Sequence, residues 1–303
     1  MERNNIADFL TPDISYLLGL ITGRGEIQQT SDFKRIVIDF EYKTLESTSI
    51  TQSFNQRLHI QTSLDPVLLR LQNLGINARK VISENKISLI LNWANEDISW
   101  LFIKFLINGN RFSYHDFQVP SPIFITSTQN KKEFLRGFGD TTGYVRASNY
   151  FGYNADQPKR YRVYLEVSNK NWLLPPQLCK LLQTIGVPVQ TINYGHPNLR
   201  DPNNKKGNNF WAKEHQMKVF AEDYQMIGFY ISHKDMALAE MAESNLSNFD
   251  SRQSICEGTI SRSRTKPSHP DESSDRLPES LRNQHFNSFK EICNCLGCYQ
   301  QND

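Results

Sequence analysis

Apolar and polar positions along this chain alternate between two periods, and the change of period marks its elements. Residues 16–27 open with a run, Tyr-Leu-Leu-Gly-Leu-Ile, that fits a buried helix. Arg35–Lys43 then alternates, with Ile36, Ile38 and Phe40 on one side and Arg35, Asp39, Glu41 and Lys43 on the other, as a half-buried strand does. Asp65–Leu74 returns to helical spacing through Leu68, Leu69, Leu71 and Leu74, and Gly75 suits its end. Strands are predicted at Ala78–Ile82 and Lys86–Trp93, and a helix from Ile98 to about Leu106. Farther on, Tyr161–Val167 alternates cleanly and Leu173–Ile185 is helical up to Gly186. Val187–Tyr194 and Phe210–Phe220 read as strands around a Gly/Asn/Pro/Lys loop, and a long helix is predicted over roughly Asp223–Asn245.

The two series are the same series. Residues 134–145 read Phe-Leu-Arg-Gly-Phe-Gly-Asp-Thr-Thr-Gly-Tyr-Val, and without gaps they match residues 16–27 as aromatic, Leu, x, Gly, apolar, four variable positions, Gly, x, apolar. Each half therefore reads α-β-β-α-β-β-α. The predicted organisation is a first half over 12–110, a Ser/Pro/aromatic linker over 111–130, a second half over 131–246, a basic Ser-rich linker over 247–276 and a small terminal segment over 277–303. The fold class is α+β.

Gly19 and Gly23 share one helical face, as do Gly137 and Thr141 in the second copy. A helix-interior Gly costs about 1 kcal/mol relative to Ala, so the repeated small residues call for close helix packing. Gly25 and Gly143 are expected to take the positive-φ conformation that stops a helix. On these residues the chain resembles the LAGLIDADG homing endonucleases of single-chain type, with a restriction-type relative as a variant of that reading. The resemblance implies that the two motif helices pack at a pseudo-twofold interface. It also implies a saddle of two four-stranded sheets that lies in successive major grooves of duplex DNA, and acids before the final motif glycines that hold catalytic divalent metal such as Mg2+.

Those two acid positions hold Arg24 and Thr142. Neither is a metal-binding carboxylate, and a guanidinium repels Mg2+. Glu26, just after Gly25, and Asp140, two residues before Thr142, are the neighbouring candidates for a relocated catalytic acid. Asp140 sits about 200° around the helix from Thr142, which favours capping or internal pairing instead. Arg24 is also a candidate phosphate contact. Other groups that bear chemistry are Glu166, Lys213-Glu214-His215, His196 and His233-Lys234-Asp235, for which a structural role is the simpler reading.

Val163, Leu165 and Val167 can face a core, which leaves Arg162, Tyr164 and Glu166 outward. Candidate DNA-contacting residues are Arg24, Gln28, Gln29, Lys43, Arg146, Asn149, Arg162, Tyr164 and Gln190, with Lys205 and Lys206 reaching phosphate from a loop. The bland alternative is a solvated sheet face. Composition bears only on the tail and the setting. A net charge of +2 requires any basic surface to be local, and 38% hydrophobic residues leave part of the chain as loop. No signal peptide or membrane span is read, so a cytoplasmic setting is expected. Four of five cysteines lie in the last 50 residues. Cys256, His285, Cys293 and Cys298 are the chosen ligands of a structural Zn2+, with His269 or Cys295 as substitutes. The expected activity is sequence-selective binding of double-stranded DNA by a monomer on an asymmetric site, with phosphodiester cleavage open. The alternatives are a non-cleaving regulator and an RNA-binding intron maturase.

Overall fold

The computed structural model describes residues 9–46, 56–94, 97–107, 111–148, 159–168, 170–171, 173–194, 214–249 and 259–262. The first series of elements is α1 (Pro12–Arg24), β1 (Gly25–Gln29), β2 (Lys34–Glu41), the short α2 (Tyr42–Leu45), α3 (Gln56–Ser63), α4 (Asp65–Asn73), β3 (Asn77–Ile82), β4 (Lys86–Trp93) and α5 (Ile98–Leu106). After α6 (Ser121–Ile125), the second series is α7 (Thr128–Thr142), β5 (Gly143–Ala147), β6 (Tyr161–Val167), α8 (Leu174–Thr184), β7 (Thr191–Tyr194), β8 (His215–Phe220), α9 (Ala221–Tyr224) and α10 (Ser232–Asn248). A last strand, β9, spans Thr259–Arg262.

Duplication is visible in the sheets as well as in the motifs. The first sheet runs β1-β2-β4-β3, and the second runs β5-β6-β8-β7 with β9 added at its edge. Within each half the strands pair antiparallel, while β9 joins β7 in parallel. Even the register repeats: Gly25 lies opposite Ile38, and Gly143 opposite Leu165. The fold is thus α+β, with αββαββα occurring twice. Inside each sheet the alternation sorts as expected, with Ile36, Ile38, Phe40, Val163, Leu165 and Val167 all buried.

The two halves meet at α1 and α7. Thr11 caps α1 by accepting from the Ile14 N–H at 3.2 Å, with Pro12 and Asp13 in the first turn. Ser127 caps α7 through the Asn130 N–H. Every residue of α1 from Ser15 to Arg24 is buried, which explains an apolar run without a clear polar face. A Cβ on Gly19 would run into the backbone of Phe134 and Phe138, and one on Gly137 into the backbone of Tyr16 and Leu20. The helices are therefore in backbone contact, and they run in step so that Arg24 and Thr142 lie at the same end. Near the other end Arg70 stacks on the rings of Tyr16 and Tyr230 and bonds Asp13 and Glu133 at 2.7 and 2.8 Å.

Several expectations are corrected. Gly25 and Gly143 have φ of −88° and −94°, so left-handed backbone is not their role. Instead a Cβ there would clash with the Ile21 and Gly139 carbonyls as the chain leaves the helix directly into a strand. Positive φ occurs at Gly75 and Gly186, after α4 and α8. The long helix expected over Asp223–Asn245 is two, α9 and α10, parted at Gly228 with φ +68°. The break frees the N–H groups of Tyr230 and Ile231, and both donate to Asp140. Residues 111–130 include α6 and the start of α7, and β9 lies within 247–276. Among the described residues no helix is long and apolar enough to cross a membrane.

Candidate nucleic-acid interface

The faces of the two sheets turned away from the helices carry the polar half of each alternation. On the second sheet, register places Tyr144, Tyr164 and Lys218 in one row and Arg146, Arg162 and Phe220 in the next, with Glu166 beside Gln216. Tyr144 and Tyr164 stack with ring centres 5.5 Å apart and planes 6° from parallel. Arg146 lies over the Tyr164 ring at 4.3 Å, and Lys218 lies over it at 5.6 Å. Burial, then the nearby Arg162 and Arg146, push the Lys218 ammonium down to about 8. Burial foremost also lowers the Arg162 guanidinium. Three cations are crowded on one open face, and the resulting potential favours an anion.

The first sheet differs. Gln28 accepts from Arg35 at 2.5 Å, and Asp39 takes both the Lys86 ammonium at 2.6 Å and the Ser88 hydroxyl at 2.7 Å. Lys86 is thus matched by a carboxylate, whereas Arg35 rests on a neutral amide.

Between the sheets, at the base of α1 and α7, lies a compact ionic centre. Arg24, only 1% exposed, donates from Nη2 to Glu214 at 2.7 Å and stacks on Tyr114 at 5.0 Å. Burial disfavours its charge, but Glu214, Glu41 and Glu166 together hold it protonated far above any accessible pH. Lys43 joins Glu41 at 3.0 Å to Glu166 at 3.3 Å across the two halves. Burial works against both partners; Glu166, Glu41 and Glu214 nevertheless raise Lys43, while Arg24 and Lys43 lower Glu41. On its other oxygen Glu166 accepts from Tyr144 at 3.1 Å and Gln216 at 3.4 Å.

Divalent metal does not fit the two motif positions. A buried guanidinium in an ion pair fills one, and at the other the Thr142 hydroxyl donates to the Phe138 carbonyl at 2.7 Å inside its own helix. Among the described residues no group of three or more His, Cys, Asp or Glu side chains is placed to hold an ion.

The structure sorts the candidate residues. Arg146 and Arg162 are on the open face of the second sheet, and Gln28 is on that of the first. Gln190 precedes β7 and donates its N–H to the Lys218 carbonyl at 2.9 Å. Tyr164 is on the same face but 2% exposed, covered by Tyr144, Arg146 and Lys218, so it supports those cations rather than meeting a base itself. Gln29 points to the helix side and accepts from Lys104 of α5 at 3.3 Å. Lys43 lies in α2, beyond the end of β2, and its ammonium is engaged by two carboxylates. Arg24 is buried away from any phosphate. Glu26 is half-buried on the open face and accepts from the Ser113 hydroxyl at 2.6 Å.

Asp140 is fully buried and accepts from Tyr16 Oη at 2.6 Å and from the Tyr230 and Ile231 N–H groups, which ties α7 to α1 and to the turn after α9. Burial raises its carboxyl above the ordinary range and lowers the ammonium of neighbouring Lys234, which donates to the Gly139 and Asp140 carbonyls. Of the remaining groups, His233 is buried between Ser63 and the Leu45 carbonyl, and burial pushes His215 down to about 3. Asn149, His196, Lys205, Lys206, Lys213, Cys256, His269, His285, Cys293, Cys295 and Cys298 lie outside the described residues.

Sequence reading missed Lys218 as a residue of the open face. Its signal was present, since Met217 and Val219 on the core side leave Gln216 and Lys218 outward.

No family model matches the chain, and no curated protein matches it. Among solved structures, I-DmoI in complex with DNA and Mn is similar at 15% identity and a TM-score of 0.38, over 77% of this chain and 98% of that one. The N-terminal LAGLIDADG domain of DUF199/WhiA gives 14% and 0.39 over 82% and 88%. The LAGLIDADG meganuclease I-AabMI bound to uncleaved DNA gives 9% and 0.40 over 78% and 91%. Similarity at this level adds no weight; the fold stands on the strand order and helix packing described above.

Proposed function

We propose that the chain binds double-stranded DNA with sequence selectivity through the open faces of its two sheets, without cleavage at the motif positions. The observation that carries this reading is the crowding of Arg146, Arg162 and Lys218 on the second sheet, where burial and then the two guanidinium groups hold Lys218 below its ordinary value. Phosphate oxygens would relieve that crowding, and Arg146 and Arg162 have the fork geometry that reads guanine edges in a major groove. Gln28, Arg35 and Asn92 form a row on the first sheet suited to base edges rather than to net charge. A buried cation where a metal-binding acid would be needed speaks against metal-dependent cleavage there.

The test is selection from a random duplex library, with Mg2+ and with EDTA, followed by sequencing of bound fragments and their ends. One enriched motif, with intact ends in both conditions, is the expected result. New ends at the motif only with Mg2+ would show cleavage from a relocated site, with Glu26 the first residue to change. Failure to enrich any duplex, with folded intron RNA captured instead, would replace this reading with the maturase one.

A further inference from the structure

We infer that Arg24 and Lys43 are built-in substitutes for a divalent cation, neutralising the carboxylates where the two sheets meet so that the chain needs no metal to face a nucleic acid there. The motif positions reject metal, yet carboxylates still converge close by, from different elements: Glu41 at the end of β2, Glu166 on β6 and Glu214 just before β8. Glu41 and Glu166 share Lys43 while Glu214 lies on Arg24, and this much negative charge in one region would repel a phosphodiester backbone. Two cations lie among them, with the same total charge as one divalent ion. Lys43 bridges Glu41 and Glu166, and Arg24 bonds Glu214.

The second observation is the state of Arg24. It is 1% exposed, and its Nε and Nη1 are buried with no hydrogen-bond partner. Only Nη2 is engaged, by Glu214; the rest of the guanidinium is held by the charge of Glu41 and Glu166 without a hydrogen bond to either. Lys43, half-exposed, is held by two carboxylates, one from each half of the molecule. Removing its ammonium leaves Glu41 and Glu166 facing a shared gap, and one or two carboxylates plus water are sufficient ligands for a small divalent ion.

The role given to the centre rests on the duplex-binding reading, but its decisive measurement uses the protein alone. Thermal unfolding of the full chain would be followed with and without millimolar Mn2+ at matched ionic strength. The unaltered protein should show no shift. Lys43→Gln, at a half-exposed position, should melt lower and gain about 3 °C or more with Mn2+, because ligand binding to the folded state stabilises it. Lys43→Gln combined with Glu166→Gln should lose that gain. Arg24→Gln is a second variant with the same expectation. A Mn2+ shift in the unaltered protein that Glu166→Gln abolishes would overturn the inference, because metal and cations would then coexist. So would the absence of a Mn2+ shift in both single variants.

On the selected duplex, Lys43→Gln should bind ~10-fold more weakly in EDTA and recover in Mg2+ at matched ionic strength. If no duplex binds any form, the function fails while the melting result still decides the nature of the centre.

Discussion

At the scale of single residues, two lysines with lowered affinity for protons play opposite parts. Lys234 is buried among backbone carbonyls near Asp140 and is a packing element, whereas Lys218 is half-buried on an open face. For Lys218 the folded value lies below the unfolded one, so between about 8 and its ordinary 10.5 the unfolded chain holds more protons and this group's penalty on stability fades as pH rises. Below pH 8 the charged form and its strain are fully present. An anion on the face raises the Lys218 value again, so binding takes up a proton. Duplex affinity should therefore fall as pH is raised from 7 to 9.5, and Lys218→Met should flatten that dependence in a fluorescence anisotropy titration. Asp140→Asn is expected to act elsewhere. It removes the negative partner of a buried ammonium and gives three donors an amide to share, at a cost of about 3 kcal/mol or more, read as a lower urea midpoint. If Asp140 worked on DNA, the folded variant would lose binding with its stability unchanged.

The elements are governed by the α1–α7 contact. Helix propensity alone would favour Ala over Gly at position 19 by about 1 kcal/mol. Contact decides against it, because the added methyl would lie against the Phe134 carbonyl and the Phe138 nitrogen of the partner helix. Backbone cannot move aside as a flexible side chain can, so Gly19→Ala should destabilise by roughly 2–3 kcal/mol net of its propensity gain. Chemical denaturation of the variant checks this, and an unchanged or raised midpoint would show that the helices can part without loss. The same contact sets function, since it places the base of each helix at the junction of the sheets, where Arg24 reaches Glu214 of the other half. The break between α9 and α10 serves this contact too, by turning two backbone N–H groups onto Asp140 of α7.

For the whole molecule, duplication of the chain has not produced duplicated surfaces. The order of the first four strands is the same in both sheets, yet the second crowds Arg146, Arg162 and Lys218 around Tyr164, while the first pairs Lys86 with Asp39 and spreads Arg35 and Arg79 apart. The enriched duplex in the selection should accordingly be asymmetric, with protection from cleavage reagents strongest over the part that meets the second sheet. A palindromic site protected evenly would contradict this assignment of the two faces.

Local pattern was enough to determine the repeat, its αββαββα order, and which residues of β2 and β6 enter the core, because periods of about 3.6 and 2 are properties of neighbouring residues; the short α2, α3 and α6, the break between α9 and α10, and β9 were not legible this way. Asn77–Ile82, Lys86–Trp93 and Ile98–Leu106 stand within a residue of where periodicity puts them. The absence of acids at positions 24 and 142 was legible in the same way. Only tertiary structure decided what replaced them. Arg24 looks like a surface cation until Glu214, 190 residues away, is brought to its guanidinium. Asp140 looks like a candidate acid until Tyr16 and the turn after α9 consume its oxygens. Lys43 continues an alternating strand in sequence, but the chain turns into α2 and the lysine crosses to Glu166. The charge of a side chain is written in the sequence; whether it meets solvent, a ligand or a counter-charge depends on residues that folding alone makes its neighbours.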